Sequence, residues 1–229
     1  MEEGKYADTE SGVPQGGSMS PVLANVYLHY VVDMWFDVVV KSKIAKGECS
    51  MVRFADDIVM CFQHEEDMQQ VHKALKDRLT KFGLELSEGK TKCIKFGRFA
   101  GKQAGQFDFL GFTFITGKTR NDKYTVIKVT SEKKLKQKRQ KVKEWLKRNM
   151  HEPIVEIIKR LNLSLRGHYN YYGLSHNIRR MRKFYEYVKV QVKYWLSRRS
   201  QKGYISWVKF ERIMFFNPLL QPTITIKLW

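Results

Sequence analysis

At 229 residues the chain is long enough for one or two domains of ordinary size. Its 42 Lys+Arg against 23 Asp+Glu give a formal net charge of +19, a balance that favours a polyanionic partner. Three cysteines without paired spacing, six histidines without zinc-ligand spacing and the lack of a Ser/His/Asp or Cys/His constellation argue against a disulfide scaffold, a zinc module and triad hydrolysis.

Met1 to Thr9 form a polar leader without strand-like alternation. Gly12 to Pro21 follow as a turn-rich loop, in which glycines permit close approach of the backbone to a ligand and Pro14 removes a donor. Ser20 is the expected N-cap and Pro21 the first residue of a helix reaching about Lys43. Leu23, Val26, Tyr27, Tyr30, Val31, Met34 and Val38, at steps of three and four, are its expected packing face. A glycine loop entering a helix N-terminus favours anions such as nucleotide phosphates. The apolar stretch 26–40 is interrupted by Asp33 and Asp37 and is short for a bilayer span. No membrane partner is expected, and without a signal peptide the protein is expected to be cytoplasmic with free thiols.

Met51 to Phe62 read as two short strands joined by a tight turn, with Asp56 and Asp57 at its tip. Asp is a good turn residue, but a turn needs one at most, and two adjacent carboxylates repel unless a cation lies between them. A helix over 65–82 follows, with Met68, Val71, Leu75, Leu79 and Phe82 on one face and Gly83 as its stop. Phe107 to Val129 read as strand, turn, strand around Gly117 to Lys123.

The remainder is helical and basic. One helix, capped by Ser131, reaches Met150 with Leu135, Val142, Trp145 and Leu146 as a sparse apolar face; Pro153 opens a second, and a third runs from about Ile178 to Arg199. Aromatics interleaved with cations can stack on unpaired bases, but the spacing of Phe184, Val188 and Trp195 predicts core. Residues 1–127 hold 17 basic and 17 acidic side chains, whereas 128–229 hold 25 and 6, so the whole excess lies in the second part. The fold class is α+β followed by all-α, divided into 1–127 and 128–229.

These segments carry a resemblance. Gly12 to Tyr27 resemble the "TPQGG…SPLLANIYL" motif of group II intron reverse transcriptases, Arg53-Phe54-Ala55-Asp56-Asp57 their "RYADD", Gly83 to Lys92 their "GLxLsxxKTk" and Phe107 to Phe112 their "FxFLGF". Leu165 to Tyr172 resemble "LRGWxNYY" of the maturase (thumb, or X) region, with His168 where Trp is usual. The resemblance implies a partial reverse-transcriptase palm, an antiparallel sheet with packed helices, followed by a thumb/maturase domain.

It also implies roles. Asp56 is the expected direct metal ligand and Asp57 its helper; two-metal nucleotidyl transfer uses Mg²⁺, which wants hard oxygen donors. Lys90 matches a lysine expected at the leaving pyrophosphate. Pro14, Gln15, Gly16 and Phe54 are expected against nucleotide or template-primer, and Phe109, Leu110 and Gly111 as a primer-gripping turn. Lys134, Lys138, Lys141, Arg166, Arg179, Arg180 and Arg182 are the expected RNA-gripping cations. Palms of this family use a third carboxylate on a strand preceding the Pro-Gln-Gly-Gly loop. The leader offers only Glu2, Glu3, Asp8 and Glu10 in a polar context, so the chain is expected to be a C-terminal portion without fingers or a complete active site, inactive alone, binding Mg²⁺ weakly by itself and acting with an N-terminal partner chain or as a dimer. The expected function is RNA-directed DNA polymerisation on an RNA template with a DNA primer. The alternative is a non-catalytic, maturase-like splicing cofactor that holds structured intron RNA.

Overall fold

The computed structural model of the chain describes residues 19–119, 121–200 and 203–228. Among them are six helices and two small antiparallel sheets, a mixed α+β content. The chain divides into two compact units, Met1–Cys93 and Ile94–Trp229.

In the first unit, α1 (Ser20–Ile44) leads into a hairpin of β1 (Cys49–Phe54) and β2 (Asp57–Phe62), followed by α2 (Glu65–Lys81). Met19, not Ser20, occupies the cap position of α1, and Pro21 lies in the first turn, where its missing N–H costs nothing. Over His29–Asp33 and Phe36–Ile44 the helix winds wider, with π-type bonding. Arg78 of α2 reaches this stretch and donates to the carbonyls of Val31 (2.6 Å) and Tyr30 (3.2 Å), the kind of side-chain intrusion that opens a helical ladder.

The buried face differs from the expected one, and from His29 onward the wider winding lengthens the step between inward residues. Leu23, Val26, Tyr27, Tyr30, Met34 and Val38 are exposed, and of the predicted set only Val31 is buried. The buried residues are Val31, Val32, Trp35, Phe36 and Val40, which recur at steps of four to five and pack with Val71, Leu75 and Leu79 of α2 and with Met51, Ile58, Met60 and Phe62 of the hairpin. At 25 residues α1 is long and apolar enough to cross a membrane by length and composition, longer than the 26–40 stretch singled out from the sequence. Here its deeper face is core, and Asp33 and Asp37 are ion-paired with Arg53 and Lys41.

Gly83, at φ 68°, ends α2 as the sequence predicts, and Leu84 and Leu86 beyond it return to the same core. The buried Asp67 carboxylate accepts from the backbone N–H groups of Gly47 (2.9 Å) and Lys46 (3.0 Å). These bonds tie the loop before β1 to α2 and hold the Asp67 carboxyl below its ordinary pKa, that from Gly47 foremost.

The second unit opens with a three-stranded meander of β3 (Gln106–Phe109), β4 (Phe112–Lys118) and β5 (Tyr124–Thr130). Phe107 and Phe114, paired across β3 and β4, stack with ring centroids 5.0 Å apart, and the edge of Phe96 closes on Phe107. Four helices follow: α3 (Glu132–Asn149), α4 (Ile154–Tyr172), α5 (Ile178–Ser197) and α6 (Trp207–Phe216). Ser131 caps α3 by accepting from the Lys134 N–H. Leu135, Val142 and Leu146 of α3 join Ile157, Leu161 and Leu165 of α4, Met181, Phe184, Val188 and Trp195 of α5, and Phe210 of α6 in one core. Helix α6 is absent from the sequence expectations. The tail also has a packing role: Asn162 donates to the Pro218 carbonyl and accepts from the Leu220 N–H, and Leu174 bridges Ile226.

The units part after Cys93, whereas the sequence expectation divides the chain at 127/128. The meander belongs with the helices because β5 is stapled to the start of α5. The buried Asn177 accepts from the Thr130 N–H (2.9 Å) and donates to the Thr130 hydroxyl (2.8 Å), while Arg180 donates to the Thr130 carbonyl (2.9 Å).

Candidate functional site

Two strained turns carry the chemistry-bearing motifs, one in each unit. In the hairpin, Phe54 pairs with Asp57 and leaves Ala55 and Asp56 as a two-residue turn. Ala55 stands at φ 53°, a left-handed position where glycine is usual and a Cβ costs roughly 1–2 kcal/mol. Asp56 and Asp57 are both exposed, and neither carboxylate has a hydrogen-bond or ion-pair partner among the described residues.

What holds this turn is Arg53. Its guanidinium grips Asp33 of α1 bidentately, Nε to Oδ1 at 2.7 Å and Nη2 to Oδ2 at 2.6 Å, and its Nη1 donates to the Asn25 side chain (2.9 Å) and to the Ala55 carbonyl (3.0 Å). The carbonyl of the strained residue is thus clamped to the helix immediately before the acid pair. The Arg53 hydrogen bond holds the Asp33 carboxyl below its ordinary pKa. Asp33 and Asn25 were not anticipated as site residues; a charge inside an apolar helical run was the available signal.

The second turn is Leu110-Gly111, between Phe109 of β3 and Phe112 of β4. Both residues have positive φ, 49° and 79°, the pattern of a tight hairpin turn in which a bulky first residue is unusual. The Tyr171 hydroxyl donates to the Leu110 carbonyl at 2.8 Å, and the rings of Tyr171 and Tyr172 pack on Phe112 at 5.6 and 5.0 Å. A Cβ on Gly111 would come within 2.7 Å of the Tyr172 hydroxyl. Tyr171 and Tyr172 of α4 therefore support the Leu110-Gly111 turn, a link no local reading reveals.

Pro14, Gln15 and Gly16 lie outside the described residues. Phe54 is 64% exposed beside the acid pair. Lys90 lies exposed in the turn after Ser87, with no hydrogen bond or ion pair to Asp56 or Asp57. Of the proposed RNA-gripping cations, Lys134, Lys141, Arg166, Arg179 and Arg182 are exposed. Two are engaged within the fold. Lys138 is half-buried and donates to the Ser164 hydroxyl at 2.8 Å, and burial lowers its pKa, with Lys141 adding to the effect. Arg180 is held by Thr130 and Glu132.

His168, in the place of the usual tryptophan, is buried among Tyr169, Tyr172 and Phe184, with no partner for Nε2. Burial, and then the nearby Lys138 charge, push its pKa down to about 4.

An aspartate-tipped hairpin and a basic helical unit together define a nucleic-acid-handling protein. A family model described as Reverse transcriptase (RNA-dependent DNA polymerase) matches residues 2–114, and one described as Group II intron, maturase-specific domain matches residues 135–212. The chain belongs to the group II intron reverse transcriptase/maturase family, and membership implies RNA partners in general. No curated protein matches the chain.

Among the described residues, no group of three or more His, Cys, Asp or Glu side chains is placed to hold a metal ion. Asp56 and Asp57 are nevertheless hard oxygen donors, adjacent, exposed and free of competing partners. That donor set fits Mg²⁺, which draws the rest of its shell from water and substrate phosphates.

Proposed function

We propose that the chain contributes the aspartate pair of an RNA-directed DNA polymerase site and grips RNA through its basic second unit. The observation that carries this reading is the exposed Asp56-Asp57 pair at a strained turn clamped by Arg53. Two exposed carboxylates side by side, without protein partners among the described residues, present adjacent hard oxygen donors to a cation. Mg²⁺, when bound, would supply charge stabilisation at the primer hydroxyl and the leaving pyrophosphate. Asp56 and Asp57 would hold it, and Arg53 would fix the turn that carries them. The Leu110-Gly111 turn would support the primer end.

A second reading, splicing without polymerisation, is favoured by the charge of the second unit: 31 basic against 8 acidic residues over 94–229, net +23, while 1–93 hold 11 against 15, net −4. Replacing both aspartates by alanine separates the two. Under the polymerase reading, the chain assayed together with an N-terminal partner chain extends a primer, and the variant loses that extension while retaining affinity for structured intron RNA. Splicing that proceeds undiminished in the variant, with no primer extension by the unmodified protein even in the presence of that partner, would favour the cofactor reading instead.

A further inference from the structure

Resting on the RNA-binding reading, we propose that Tyr204 and Trp207, bridged by Lys193, form a stacking platform for unpaired RNA bases. The Lys193 ammonium lies 5.0 Å from the Tyr204 ring centroid and 4.8 Å from that of Trp207. Both rings stay open to solvent, Tyr204 at 77% and Trp207 at 47% exposure. At the end of α5, the guanidinium of Arg198, the residue after the helix, lies 4.7 Å from the ring of the exposed Tyr194.

The elements that carry the rings are anchored, and the Trp207 ring meets the buried Phe210 ring edge to face at 5.8 Å. Val192, Trp195 and Leu196 bury the inner face of α5, and Phe210 buries that of α6. Between the helices the Ile205 N–H donates to the Ser197 hydroxyl (3.2 Å), and Ser206 caps α6 through the Lys209 N–H. A platform ordered beforehand loses little conformational freedom when a ligand arrives.

The charge identifies the ligand. From Tyr187 to Phe210 the sequence has six cations, Lys189, Lys193, Arg198, Arg199, Lys202 and Lys209, and no acid. Single-stranded nucleic acid needs this combination, a π-face for the base and a positive charge for the phosphate beside it. Along a duplex the base faces are stacked on one another and only the terminal pair at each end is open, so the platform favours loops and bulges. An apolar protein partner covering the same rings would strip water from the Lys193 ammonium without compensating it.

The test measures affinity of the full chain for two RNAs by fluorescence anisotropy over a range of salt: a stem-loop with a loop of roughly ten nucleotides, and a blunt duplex. Tyr204→Ala and Trp207→Ala are each expected to weaken stem-loop binding on the order of tenfold. Duplex affinity and the slope of log affinity against log salt are expected to stay as in the unmodified chain, because stacking releases no counterions. Tyr204→Phe and Trp207→Phe keep a ring and are expected to restore most of the stem-loop affinity. Unchanged stem-loop binding in both alanine variants, or equal weakening on the two RNAs, would overturn the platform while leaving the RNA-binding reading intact. An unmodified chain that bound neither RNA would overturn that reading, and the platform with it.

Discussion

Arg53 carries more of the candidate site than either aspartate's own neighbours do. Four of its hydrogen bonds converge on Asp33, Asn25 and the Ala55 carbonyl, and its side chain is only 11% exposed. Arg53→Ala is expected to destabilise the first unit by about 2 kcal/mol, since it leaves the partly buried Asp33 carboxylate with only the His29 contact and releases a left-handed residue from its clamp. Arg53→Lys should recover little, because a point charge cannot reproduce the bidentate grip. Urea unfolding measures both, and a lysine variant as stable as the parent would show that charge alone suffices.

His168 gives a second prediction, in which the sign follows from burial. Its folded pKa, pushed down to about 4, lies below the ordinary 6.5, so the unfolded chain takes up the proton first. Its contribution is complete above about pH 6.5 and is lost as pH falls toward 4, at most about 3 kcal/mol. His168→Trp, which restores the residue usual in the resembling motif, is expected to flatten the stability loss between those pH values. If it left that loss unchanged, the acid sensitivity would belong to other groups.

At the scale of elements, the hairpin, α2 with its glycine stop, the capped α3 and the core positions of α5 were legible because each rests on local signals: alternation, a cap, a left-handed glycine, a regular step. The packing face of α1 was not. Its winding widens where Arg78 of another helix reaches the Tyr30 and Val31 carbonyls, and a periodicity of three and four cannot register such a contact. The support of the Leu110-Gly111 turn was hidden for the same reason, since Tyr171 lies 61 residues from the carbonyl it binds. Gly111→Ala is therefore expected to cost on the order of 1–3 kcal/mol, from a side chain at φ 79° and a Cβ pressed against Tyr172, whose ring is hemmed in by Phe112 and His168. Tyr171→Phe should cost about 1 kcal/mol, one hydrogen bond. Thermal unfolding of the two variants tests the support, and a glycine variant melting with the parent would mean the turn tolerates a side chain.

Over the whole molecule the charge divides more sharply along the compact units than along the boundary expected from sequence: −4 for 1–93 and +23 for 94–229. The Asn177–Thr130 staple moves the meander, and its basic surplus, to the helical side. RNA affinity of the chain should therefore fall steeply with salt, by roughly 0.7 to 0.9 log units per log unit of salt for each phosphate neutralised. The fold also says which lysines count. Lys134 and Lys141 are exposed on α3, whereas Lys138, between them in sequence, turns inward to Ser164. Replacing Lys134 and Lys141 together by alanine is expected to flatten the salt slope by up to about two contacts' worth. Lys138→Ala, which removes a half-buried cation beside His168, should leave the slope nearly unchanged. Anisotropy titrations at several salt concentrations measure the slopes directly. A Lys138→Ala slope as flat as that of the double variant would mean that the side chain swings out to meet the phosphates, and that α3 grips RNA through its inner edge as well as its exposed face.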